Sequence, residues 1–126
     1  EVQNVLSCLD AENRYLTTPS SVDFYPMQGS IEDHASNLPL AVTKCRQMVD
    51  NLRYLVGMEA LFASQAVDLR KSDGNGDYVH LGKGTQKAYD VLRAVVPEMK
   101  SNRSVYDDIN KAYQLVLEEK FLADGE

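Results

Sequence analysis

Ser30, Ile31, Glu32, Asp33 and His34 place a hydroxyl, two carboxylates and an imidazole within five consecutive positions. Adjacent carboxylates repel, so confining Glu32 and Asp33 together would let one keep a proton while the other stays ionised. That is a candidate acid/base or substrate-contact site. The plain alternative is a set of solvated residues on the approach to a helix, where the macrodipole favours negative charge. No Ser-His-Asp order, nucleophile elbow or metal cluster can be drawn around them, because the only two histidines, His34 and His80, lie on different loops.

The elements that must position this cluster are helical. Val2, Val5, Leu6 and Leu9 are spaced as a helix in progress, which predicts a helix over about residues 2–14, ended near Tyr15 by Thr17-Thr18-Pro19-Ser20-Ser21. The loop that follows, with Val22, Phe24, Tyr25, Pro26 and Met27, is too apolar for a floppy linker and is expected to pack against protein. From Pro39 and Leu40, apolar residues at Val42, Cys45, Val49, Leu52, Leu55, Phe62, Ala66 and Leu69 predict one long amphipathic helix to Arg70. Such a helix spans about 50 Å, whereas a compact domain of this size has a radius of gyration near ~14 Å. Its stripe therefore calls for other long helices, from further chain or from other subunits. Glu59 falls on the stripe and would need a partner there, or marks a locally exposed patch. Lys71–Gly84 is a polar connection. Helices are expected over about Gln86–Val96, stopped by Pro97, and after Ser104, whose spacing to Asp107 resembles a capping box. The expectation is an all-α fold, with residues 1–126 forming a single helical region.

Composition removes several function classes. The 126 residues are 44% hydrophobic and 25% charged, and no run approaches the roughly 20 apolar residues of a membrane span. A net charge of −6 opposes attraction to phosphate backbones, so neither nucleic acid nor membrane is expected as a partner. Cys8 and Cys45 belong to no paired or metal-binding spacing and read as reduced core thiols of a cytoplasmic protein. The start carries no signal-peptide pattern and no initiator Met, and it reads as a piece cut from a longer protein.

Two further motifs fail on their spacing. Asp73-Gly74-Asn75-Gly76-Asp77 matches the first, third and fifth positions of a calcium loop, but Tyr78 and Gly84 stand where the turn glycine and the closing Glu are required. Gly82-Lys83-Gly84-Thr85 lacks the upstream glycine and the hydroxyl residue after lysine of a phosphate loop; Thr85 is instead expected to cap the next helix. The seven tyrosines share no basic stripe and read as core or interface aromatics.

Several strings, in order, resemble the C-terminal portion of histidine ammonia-lyase and its aromatic amino acid lyase relatives. They are Glu12-Asn13, Pro19 with Ser21-Val22-Asp23, Glu32-Asp33-His34, Glu59-Ala60-Leu61, Gln65 to Arg70, Leu81 to Thr85, and Ala88-Tyr89. The resemblance implies a homotetramer built around long antiparallel helices from all subunits, and a small-molecule amino acid as substrate. It also implies an electrophilic methylidene-imidazolone (MIO), formed from an internal Ala-Ser-Gly, that lets ammonia leave to give an α,β-unsaturated acid. This sequence has no Ala-Ser-Gly: Ala35-Ser36 precedes Asn37, and Ala63-Ser64 precedes Gln65. Alone, the chain is expected to be inactive.

The family position that reaches the active site is matched by Glu32, on a structured active-site loop over residues 15–36. In histidine-type enzymes a Glu there lies near the substrate imidazole, where a carboxylate can accept the ring N–H. Glu32 is thus the expected catalytic and substrate-binding residue, and histidine the favoured substrate. Ile31 stands where the family usually has Gln, and Gln28-Gly29-Ser30 replaces its common Ser-Ala-Asn. Another aromatic amino acid or an aminomutase reaction therefore stays open, as does a free-standing helical interaction module without catalysis.

Overall fold

The computed structural model describes residues 2–22, 28, 29, 31, 37–75 and 79–122. Among them are four α-helices and no strand, so the fold is all-α: α1 (Val2–Leu16), α2 (Leu38–Arg70), α3 (Lys83–Arg93) and α4 (Tyr106–Leu117). None is long and apolar enough to cross a membrane. The chain divides into two compact units, Gln3–Leu52 and Arg53–Glu126.

In the first unit, α1 runs two residues beyond its expected end. Thr17 and Thr18 then turn their hydroxyls back onto the Arg14 and Tyr15 carbonyls at 2.6 and 3.0 Å, satisfying acceptors the helix leaves open. α2 starts at Leu38 with Pro39 in its first turn, where the missing N–H costs nothing. Its remaining 31 residues contain no proline to break it.

The second unit has its core around Leu92, Val96 and Ala112, with Ala60, Leu61, Leu115 and Phe121 packed against them. Met58 is also fully buried. Gly57 lets α2 and α4 approach closely: a Cβ there would lie 3.1 Å from the Ala112 carbonyl carbon and the Tyr113 nitrogen, both backbone atoms. Beside this contact Tyr54 and Tyr113 stack with centroids 4.1 Å apart, and the Tyr54 hydroxyl donates to Asn110. α3 begins three residues earlier than expected, with Gly82 as N-cap, so Thr85 lies inside the first turn and donates to the Gly82 carbonyl. Backbone bonds from Ala94 and Val96 carry one more turn before Pro97 stops it. The expected capping box on α4 does not form. The N-cap is Val105, and Ser104 Oγ accepts from the Tyr106 N–H at 3.4 Å.

The contacts within the chain use a face of α2 other than its apolar stripe. Of the eight stripe residues, only Leu55 is shielded; Val42, Cys45, Val49, Leu52, Phe62, Ala66 and Leu69 are exposed. The buried positions are Asn51, Gly57, Met58, Ser64 and Asp68. Small residues permit close approach and polar ones pair across helices, so these positions make the contacts within the chain. The apolar stripe is surplus to them. Cys8 and Cys45 are free and exposed rather than core thiols.

Candidate functional site

Glu32, Asp33 and His34 lie outside the described residues; their flanks are described. After α1 the chain makes a short 3-10 turn at Ser20–Val22. Further on, Gln28 and Gly29 both adopt positive φ (53° and 66°), and the Ile31 N–H donates to the Gln28 carbonyl at 3.4 Å. Ile31, immediately before Glu32, is 83% exposed.

The far end of this segment is held by α2. Asn37 is left-handed (φ 49°), a conformation asparagine tolerates. Its carbonyl accepts the first helical bond, from Ala41 at 3.0 Å. Its Nδ2 reaches back to donate to the Ser20 carbonyl at 2.9 Å. Seven residues on, Lys44 Nζ donates to the Thr18 carbonyl. Seven further, Asn51, 3% exposed, donates from Nδ2 to Glu12 Oε2 at 2.9 Å and to Asn13 Oδ1 at 3.1 Å, and accepts from Gln47 Nε2 at 3.0 Å. Both amide protons and the amide oxygen are thus engaged, as burial demands. The Glu12-Asn13 string therefore anchors α1 to α2. Sequence reasoning missed Asn37, Lys44 and Asn51, although the seven-residue spacing of Lys44 and Asn51 puts those two on one face of α2.

The second unit holds another polar cluster. Asp68 accepts from the Tyr89 hydroxyl and pairs with Arg93, Nη2 to Oδ2 at 2.5 Å, with side chains only 9% and 14% exposed. The contact is ionic rather than a well-aligned hydrogen bond, since neither of those atoms meets hydrogen-bond geometry. Arg93 Nη1 donates to the Val96 carbonyl at 3.2 Å, and Lys71 Nζ lies 4.2 Å above the Tyr89 ring. Gln65 makes a two-way bond with the backbone of Met99, at 3.2 and 3.0 Å. The string from Gln65 to Arg70 thus latches α2 onto α3 and the segment after it. Asp68, engaged on both oxygens, is no free base.

A cavity of about 200 Å³ lies beside this cluster, lined by small and apolar groups including Ala60, Ala63, Val67, Leu81 and Ala88. Ser64 also borders it, inside α2 and followed by Gln65. The sequence holds no Ala-Ser-Gly from which an MIO group could form, so this chain does not fit as the source of that group. No set of three or more His, Cys, Asp or Glu that could hold a metal ion occurs among the described residues.

Comparison with known proteins agrees with this architecture. A family model described as aromatic amino acid lyase matches residues 1–94. The histidine ammonia-lyase of Alkaliphilus metalliredigens is 35% identical over 124 residues, covering 98% of this chain and 23% of that protein. That of Streptococcus sanguinis is 36% identical over 123 residues, again 23% of its length. Among solved structures, the ergothioneine-degrading enzyme ergothionase of Treponema denticola, in complex with desmethyl-ergothioneine sulfonic acid, is 46% identical with a TM-score of 0.86. That match covers 97% of this chain and 23% of the other. The chain thus spans about a quarter of the length of the relatives it matches.

Proposed function

The chain belongs to the aromatic amino acid lyase family, and on that footing we propose that it is the C-terminal region of a lyase acting on an imidazole-bearing amino acid or its betaine. The observation that carries this reading is the match of 46% identity over 97% of the chain to an ergothioneine-degrading enzyme, alongside histidine ammonia-lyases at 32–36%. In the reaction, a proton leaves Cβ, the Cα–N bond breaks with its electron pair going to nitrogen, and a double bond forms between the two carbons. Histidine would release ammonia; ergothioneine, whose nitrogen is already quaternary, would release neutral trimethylamine.

Glu32 is the residue assigned to the substrate. Its carboxylate accepts the ring N–H and orients the imidazole, and it stabilises positive charge on that ring as the elimination proceeds. The active-site loop, expected over residues 15–36 and beginning after α1 ends at Leu16, carries it. Any MIO electrophile would come from outside this chain. The lyase would be a cytoplasmic homotetramer whose bundle covers the exposed stripe of α2, and the isolated chain would be inactive.

The higher identity to ergothionase favours a second substrate reading, with ergothioneine in place of histidine. Incubating the full-length enzyme with histidine, phenylalanine, tyrosine and ergothioneine, and following the absorbance of the conjugated acid, separates the two. Turnover of histidine or ergothioneine that falls at least about a hundredfold in Glu32→Gln is expected. Unchanged turnover by that variant on every substrate would remove Glu32 from the reaction.

A further inference from the structure

We propose that the cavity between α2 and α3 binds a small neutral aromatic molecule, a single ring carrying one hydrogen-bond acceptor. The cavity lies wholly within the second unit, and the site is independent of the reading of Glu32. Its volume is about 200 Å³, more than the roughly 150 Å³ of an apolar cavity that takes up benzene. Val67 and Ala88 give it apolar walls, and Tyr89 adds an aromatic wall against which another ring can pack. Ala63 and Thr85, both exposed, mark the side from which a ligand enters. None of the described residues that line the cavity carries a charge. A carboxylate or ammonium would lose water there without gaining a counter-charge, which restricts the ligand to a neutral molecule.

Ser64 supplies the polar contact. It borders the cavity, is only 6% exposed, and its hydroxyl meets no hydrogen-bond partner among the described residues. A hydroxyl inside a helix can spend its proton on the carbonyl four residues back, as Thr43 does on Pro39 at 2.9 Å. Ser64 makes no such bond. The other two hydroxyls of the lining are committed: Thr85 donates to the Gly82 carbonyl at 2.9 Å, and Tyr89 donates to Asp68. A buried hydroxyl left unpaired is costly, so Ser64 is poised to donate to an oxygen or ring nitrogen that enters the cavity. One free donor among apolar walls calls for one acceptor on an apolar ring.

The test is binding of phenol, benzene and benzoate to the full-length enzyme, followed by ligand-observed NMR and calorimetry. Phenol and benzene should bind saturably, with dissociation constants of about 0.1–1 mM, as befits so few heavy atoms. Benzoate, of the same ring size but charged, should bind at least about tenfold more weakly than phenol. Ser64→Ala should weaken phenol by about threefold to tenfold and leave benzene within about twofold, because only phenol offers the hydroxyl an acceptor. Ala88→Leu, which fills the cavity, should abolish the binding of both, with a thermal midpoint within a few degrees of the parent. Phenol binding that survives Ala88→Leu would put the ring elsewhere and overturn the site. Equal weakening of phenol and benzene by Ser64→Ala would overturn the assigned contact. Absence of saturable binding would overturn the proposal outright, leaving the space to water or to a side chain from another part of the enzyme. Should Ala88→Leu fail to fold, the contrast between phenol and benzene on Ser64→Ala carries the test.

Discussion

Single residues in this chain carry sharply different costs. Asp68 and Arg93 form a pair that is almost wholly withdrawn from water, so removing one partner strands the other's charge. Asp68→Ala should destabilise the fold by about 3 kcal/mol, read from urea unfolding. A loss under ~1 kcal/mol would mean that Arg93 finds water or another acceptor. Glu119 behaves in the opposite sense. It sits left-handed (φ 56°) just past α4, while the Lys120 N–H closes back on the Leu115 carbonyl at 2.9 Å. That closure is the usual glycine position at a helix end. Glu119→Gly should stabilise by about 0.5 kcal/mol, and Glu119→Val should destabilise by more than about 1 kcal/mol. Thermal melts of the two variants, shifted in opposite directions, would check both. At this scale the candidate site was legible only in part. Glu32 stood out by residue type and by resemblance, whereas Asn37 and Asn51 are ordinary amides until their partners on another element are seen.

At the level of elements, α2 shows why apolar periodicity and packing can diverge. Its contact with α4 is set by Gly57 against Ala112, with no room for a methyl group between backbones. Gly57→Ala gains helix propensity worth about 1 kcal/mol but forces the helices apart at a cost of about 1–3 kcal/mol. A net loss of ~1 kcal/mol in urea unfolding is expected, and a net gain would show that α4 can shift freely. Helix existence and order were legible because Pro39, Pro97 and the 3.6-residue periods act locally. The start of α3 and the cap of α4 were not, since Gly82 and Val105 cap without the side-chain signals that mark a helix end.

On the scale of the whole molecule, the surplus stripe decides behaviour in solution. Val49, Leu52, Val56, Phe62 and Leu69 are each 42–54% exposed. Contiguous apolar surface of this kind drives association. The isolated chain should therefore scatter light as an oligomer at micromolar concentration. Leu52→Glu with Phe62→Glu should lower its mass while leaving its helical circular dichroism intact. A monodisperse, folded parent chain would show instead that the stripe tolerates water. The stripe was visible in the sequence, and so was its excess over what this length of chain can cover.

The sequence by itself determined the helical class, the order of the helices, the surplus apolar face and the family strings, because periodicity, proline positions and motif spacing are properties of the chain alone. Only the tertiary structure decided which face of α2 is used internally and what the family strings do. Glu12-Asn13 and Gln65 to Arg70 became docking contacts once Asn51, Met99, Tyr89 and Arg93 were seen beside them. The physical reason is that a buried polar residue is justified by its partner. Such partners here lie 21 to 39 residues away along the chain, where no local pattern reaches.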